Sequence, residues 1–191
     1  METDIKIYVL GCAKYADLFK EFTERFQKYW GSPFLAYISP YDIERWSNGV
    51  IDFLNSIDDE YFILLHEDFY LTELVDLETI NKLYKLAVEE KADRVSLMGN
   101  HSPERTEKVS WYNVYKPNQP YQVSFEASVQ RRGFLLDHLR PNENPWDSER
   151  HPIKRGVNGK ILTSDKPCIF YGDKLRQGKL QEEIMNPNIW P

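Results

Sequence analysis

The stretch Tyr61-Phe62-Ile63-Leu64-Leu65-His66-Glu67-Asp68-Phe69-Tyr70-Leu71 ends an unbroken apolar run in two adjacent carboxylates. Carboxylates are hard oxygen ligands for Mg²⁺ or Mn²⁺, ions that also take phosphate oxygens. An ion held this way neutralises a diphosphate leaving group as a Lewis acid. Phe62 to Leu65 reads as a strand buried on both faces. In open α/β sheets, ligands bind beyond the carboxyl ends of the strands. Glu67 and Asp68 therefore stand where a metal-bound phosphate would sit. The same acids, followed by Thr72-Glu73, would equally solvate a loop, and the residues alone leave both readings open. His101, His138 and His151 have no metal-ligand spacing and read as structural or solvent-exposed.

The elements that must position this stretch follow from periodicity. Ile5 to Leu10 is β-branched and apolar and predicts a first strand ending at Gly11. Tyr15, Leu18, Phe19, Phe22, Phe26 and Tyr29 fall on one helical stripe, stopped by Gly31-Ser32-Pro33. Phe34 to Ile38 predicts a second strand, and Ile43, Trp46, Val50, Phe53 and Leu54 a second helix. Tyr61 to His66 is the third strand. This β-α-β-α-β order predicts an α/β fold with a mostly parallel sheet covered by helices. Leu77 to Glu90 predicts a third helix and Arg94 to Met98 a further strand. Gly99 to Thr106 reads as a loop, and Lys108 to Tyr115 and Tyr121 to Phe125 as a strand pair. Arg131 to Leu139 reads as a short helix, and Arg140 to Arg150 as a functional loop or a helix starting near Pro145. Pro167 to Tyr171 is a last strand candidate, and the tail beyond Glu183 reads as a loosely held arm.

The totals set bounds. A chain of 191 residues with 41% hydrophobic residues suits one domain, here 1–191, with 1–98 as its first half and 99–191 as its second half and C-terminal arm. A net charge of −6 argues against broad binding to a nucleic-acid backbone. Cys12 and Cys168 cannot make a disulfide framework or a cysteine-rich zinc motif. No apolar run reaches membrane-spanning length, and Met1-Glu2-Thr3-Asp4 opens no signal peptide, so a cytoplasmic location is expected. Neither a Gly-X-Gly-X-X-Gly nor a Walker A sequence is present, which weakens NAD and ATP readings.

Leu64-Leu65-His66-Glu67-Asp68-Phe69-Tyr70-Leu71 resembles the acidic segment of glycosyltransferases with the GT-A fold, whose motif is usually Asp-X-Asp. Phe125-Glu126-Ala127-Ser128-Val129-Gln130-Arg131-Arg132-Gly133-Phe134-Leu135, with Leu139 to Glu149 behind it, resembles a segment of small bacterial and phage glycosyltransferase-like proteins. There a polar strand and short helix lead to a Pro-Trp-X-X-Glu box. Arg176-Gln177-Gly178-Lys179 is similar to their closing basic segment.

This resemblance implies a single-domain, Rossmann-like GT-A fold with a mixed, mostly parallel central sheet flanked by helices, and makes residues 1–98 the nucleotide-binding half. It implies Asp68 as the metal ligand, Glu67 at the middle position, and His66 where the family often has its first acid. It implies Glu149, or failing it Asp147, as the general base that deprotonates an acceptor hydroxyl. Trp146 then reads as a sugar-stacking or packing residue. The nucleotide base lies over the loop after the first strand in such folds, which brings in Gly11, Cys12 and Tyr15. Tyr15 also fits its helix stripe. Arg176 and Lys179 are the basic residues toward the donor.

The expected activity is metal-assisted transfer of a sugar from a nucleotide-sugar donor, a UDP-sugar by default, to a hydroxyl acceptor, with Mn²⁺ or Mg²⁺ as cofactor. The acceptor would be a glycan or, against the acidic balance, a modified base in phage DNA. Two alternatives stand beside it: a non-catalytic nucleotide-sugar or carbohydrate-binding protein, and a metal-dependent hydrolase using His66, Glu67, Asp68 and His101.

Overall fold

The computed structural model describes residues 5–176 and 179–185. Its central sheet has eight strands in the order β2-β1-β3-β8-β5-β9-β7-β6. The first three are β1 (Ile7–Cys12), β2 (Leu35–Ser39) and β3 (Tyr61–His66), and β1 pairs parallel with both others. Their side chains alternate between two cores. Ile7, Val9, Ile63 and Leu65 face one side of the sheet, while Tyr8, Leu10, Phe62 and Leu64 face the other. Both faces are covered, so the strands read as continuous apolar runs.

The first face is covered by α1 (Leu18–Tyr29), which buries Phe22 and Phe26 in an aromatic stack with Trp30. The second face is covered by α2 (Trp46–Ser56) through Val50, Phe53 and Leu54. A short strand, β4 (Phe69–Leu71), follows β3 directly. Then α3 (Leu77–Glu89), capped by Asp76 accepting from the Thr79 N–H at 3.0 Å, packs on the first face.

The second half completes the sheet from inside. It contains β5 (Arg94–Ser96), the hairpin of β6 (Thr106–Lys108) and β7 (Tyr112–Tyr115), then β8 (Ser128–Arg131), α4 (Arg132–His138), α5 (Pro145–Lys154) and β9 (Ile161–Ser164). β8 lies antiparallel between β3 and β5. β7 lies antiparallel between β9 and β6. The other six strands share one direction, which makes the sheet mixed but mostly parallel. β10 (Tyr171–Arg176) pairs antiparallel with β4 and with β11 (Lys179–Met185) as a separate three-stranded sheet. The architecture is the Rossmann-like α/β fold of the GT-A type.

Several sequence expectations are corrected. Tyr121 to Phe125 forms no ladder with β7. Its backbone is taken up by side chains instead: Arg94 donates to the Tyr121 carbonyl, Gln130 to the Ser124 carbonyl, and the Phe125 N–H to Glu149. Tyr15 is not on α1 but in the 3-10 turn Ala13–Tyr15 that precedes it. The final strands begin at Tyr171 rather than Pro167, and β11 runs through the start of the expected arm, whose residues 186–191 lie outside the described ones. Of the two readings of Arg140 to Arg150, the helix from Pro145 is the one formed. β4, β8 and β9 have no counterpart in the periodicity reading.

Candidate active site

Residues of β1, β3, β10 and α5, with those leading into β8, line a single cleft of about 920 Å³. That volume is in the range of small-ligand sites, about 300–1,000 Å³. β1 brings Gly11 and Cys12, and β3 brings His66, Glu67 and Asp68. Because β8 runs in reverse, its leading residues Ser124, Phe125 and Glu126 reach the same cleft. α5 brings Trp146, Glu149 and Arg150, and β10 brings Tyr171, Asp173 and Leu175.

Glu67 is buried at the β1–β3 junction. Its backbone N–H donates to the Leu10 carbonyl at 3.0 Å, and its Oε1 accepts from the Cys12 N–H at 3.2 Å. Gly11 permits this approach, since a Cβ there would lie 2.4 Å from the Phe19 ring and 3.2 Å from the Glu67 carboxyl carbon. Burial pushes the Glu67 carboxyl up to about 7. Asp68 is held well above the usual carboxylate range by burial first, and then by the charges of Glu67 and Asp173. β4 and β10 create that last contact, because Phe69 pairs with Asp173 in their ladder. Crowded, desolvated carboxylates of this kind favour a bound cation.

His66 sits among aromatic rings. Its ring lies in an aromatic box of Trp46 (centroids 5.9 Å apart), Phe69 (5.1 Å) and Phe125 (6.4 Å), with Nε2 buried and unpartnered. Burial lowers its pKa to about 4, so the imidazole is neutral at pH 7. Among the described residues no three His, Cys, Asp or Glu side chains gather as a metal cage. The acids fit a hard divalent ion of the kind that one or two carboxylates hold together with phosphate oxygens.

Elsewhere in the cleft lining, Glu149 accepts from the Ser124 hydroxyl at 3.1 Å and the Phe125 N–H at 2.8 Å. Burial raises its pKa, and Glu126 adds to the rise. Asp147 is outside the cleft lining, bonded to Asn144 at 2.8 Å and 3.5 Å from His151. Trp146 is half-buried, belongs to neither core cluster and lines the cleft. Gly11, Cys12 and Tyr15 line the cleft. Lys179 is exposed on β11 away from the lining, and the side chain of Arg176 is outside the described ones.

Sequence reasoning missed Asp173, Glu126, Arg94 and Trp46 as cleft residues. Trp46 sits on the apolar stripe of α2, and Asp173 is one acid in an unrecognised strand. No local pattern sets either apart.

No protein-family model and no curated protein matches the chain. Solved structures do. The chain is similar to S. aureus TarS 1–349 in complex with UDP-GlcNAc, with a TM-score of 0.56 at 12% identity, over 92% of this chain and 60% of that one. The TarS 1–349 complex with UDP matches with a TM-score of 0.53 at 11% identity, over 86% and 59%. A197 from STIV matches with a TM-score of 0.50 at 11% identity, over 95% of this chain and 96% of that one. The chain spans about three fifths of the TarS 1–349 chain it matches. These likenesses carry the fold alone, a GT-A-like α/β domain.

Proposed function

We propose that this protein is a glycosyltransferase that moves a sugar from a nucleoside diphosphate sugar to a hydroxyl acceptor. The observation that carries the reading is one cleft lined both by an acidic cluster at the end of β3 and by Glu149. Gly11, Cys12 and Tyr15 form the nucleotide side. Asp68 and Asp173 would hold Mn²⁺ or Mg²⁺ against the diphosphate. The ion, when bound, supplies charge neutralisation to the departing diphosphate. Glu149 receives the acceptor hydroxyl proton as the oxygen bonds to the sugar carbon and the diphosphate leaves. Its hydrogen bonds from Ser124 and Phe125 fix the carboxylate's aim. The UDP complex and the UDP-GlcNAc complex of TarS support UDP as the first donor nucleotide to test. The acceptor is a hydroxyl compound, a glycan first. Among the described residues no helix is long and apolar enough to cross a membrane, and a cytoplasmic site of action fits a nucleotide-sugar donor.

One observation favours a second reading, a nucleotide-sugar-binding protein without turnover. Two protein donors already engage Glu149, as they would a structural carboxylate. The hydrolase reading gains no support, because among the described residues His66, Glu67, Asp68 and His101 form no metal cluster.

A thermal-shift panel of UDP-, GDP-, CDP- and dTDP-sugars with and without Mn²⁺ tests the proposal. One nucleotide should stabilise the wild type only with the ion, and Asp68→Ala and Asp173→Asn should each abolish that shift. Stabilisation by Mn²⁺ alone with no nucleotide effect overturns the reading. Release of the nucleoside diphosphate that falls at least 100-fold in Glu149→Gln separates transfer from mere binding.

A further inference from the structure

Beyond the acids of β3 and Glu149, the cleft holds a second ion pair that the reaction as described does not use. Arg94 starts β5 and is only 2% exposed. Its Nη1 donates to Glu126 Oε1 at 2.5 Å and its Nη2 to the Tyr121 carbonyl at 3.2 Å, while Nε is buried without a partner. Glu126 keeps about 29% of its side chain exposed, and both residues line the cleft. A buried guanidinium is costly to desolvate, so a pair retained here holds Glu126 in one orientation at the cleft surface.

The pairing of β8 with β3 places Glu126 in the cleft. Tyr171, stacked on Phe69 with centroids 4.2 Å apart, lies within reach of the charges of Asp68 and Asp173 and also of Glu126. Glu149 lies within reach of Glu126 and Arg94. In the antiparallel β3–β8 register Leu64 lies opposite Ser128, so Glu126, two residues before Ser128, comes to the end of β3 where the acids stand, and its neighbour Phe125 donates its N–H to Glu149 at 2.8 Å. A group joined to a diphosphate at those acids and attacked beside Glu149 must lie against Glu126.

We propose that Glu126, fixed by Arg94, is the specificity residue that accepts hydrogen bonds from hydroxyls of the donor's sugar ring. Arg94 is its positioning residue. The assignment rests on the nucleotide-sugar reading above. A carboxylate suits the task, since its two oxygens take adjacent hydroxyl donors and charge-assisted bonds are the strong ones. A site built to bond hydroxyls also rejects ligands that lack them.

The test compares UDP, GDP, CDP and dTDP with their sugar conjugates, in Mn²⁺, by titration calorimetry. The proteins are wild type, Glu126→Gln and the double variant Arg94→Met/Glu126→Gln, which removes the buried pair together and keeps the fold testable. The variants should bind the bare diphosphate within twofold of wild type and the sugar conjugate at least tenfold more weakly. A merely structural pair would weaken both ligands alike, and that result, or an unchanged preference for the conjugate, overturns the inference. If wild type binds none of these nucleotides, the nucleotide-sugar reading itself falls, and this inference with it.

Discussion

At the scale of single residues, Glu67 is the group whose protonation the fold changes most legibly. Its pKa rises from 4.5 to about 7. Below pH 4.5 it is protonated in both the folded and unfolded states, and the stabilisation relative to the charged form is fully present. That stabilisation is lost as pH rises through about 7, because the folded state then carries a buried charge. Glu67→Gln keeps an oxygen for the Cys12 N–H and removes the charge. It should be more stable than wild type at pH 8 by on the order of 2 kcal/mol, with the difference gone at pH 4. Urea unfolding at the two pH values measures this. The acids of the site were legible because Glu67 and Asp68 interrupt an apolar strand. Glu126 and Arg94 were not, since each becomes a cleft residue only through pairings with elements more than 30 residues away (126 − 94 = 32).

At the scale of elements, the helix that carries Trp146 and Glu149 depends on its start. Asn144 caps α5 by accepting from the Asp147 N–H at 2.9 Å, with Pro145 at the first turn. Asn144→Ala should cost about 1 kcal/mol, read as a lower urea midpoint at unchanged slope. It should also reduce turnover, because Glu149 is aimed from this helix. This start was readable from Asn144-Pro145. β8 was not readable from periodicity. Its sequence Ser-Val-Gln-Arg is polar, yet Ser128, Val129 and Gln130 are buried. Side-chain bonds take up most of its polar groups: Ser128 donates to the Glu126 carbonyl at 2.7 Å and Gln130 donates to Ser128 Oγ at 2.8 Å, while Gln130 Oε1 is buried without a partner. A hydrophobicity pattern cannot report a strand stabilised this way. Tyr121 to Phe125 failed in the opposite sense. Alternating apolar residues gave it a strand's pattern, while its backbone partners turned out to be side chains.

At the scale of the whole molecule, the two halves of the sequence are not separable bodies. β3 and β5 both belong to residues 1–98, yet they meet only through β8. A fragment of residues 1–98 would leave β5 with no strand partner. It should therefore show no cooperative unfolding transition, while the full chain should unfold in one, with coincident fluorescence and circular dichroism curves. The α/β class and the parallel β1–β2–β3 core were legible because alternating strands and helices there are local in sequence. The insertion of a reversed strand was not, because its pairings span long loops.

That insertion also has a consequence for synthesis on the ribosome. His66 ends β3 and Ser128 begins its missing neighbour, so 61 residues (128 − 66 − 1) must be translated between the two. At roughly 5–20 residues per second, this takes about 3–12 s. Throughout that interval the nascent chain presents one unpaired, apolar strand edge, the kind that templates aggregation. A holding factor that covers this edge until β8 emerges should raise the yield of folded protein.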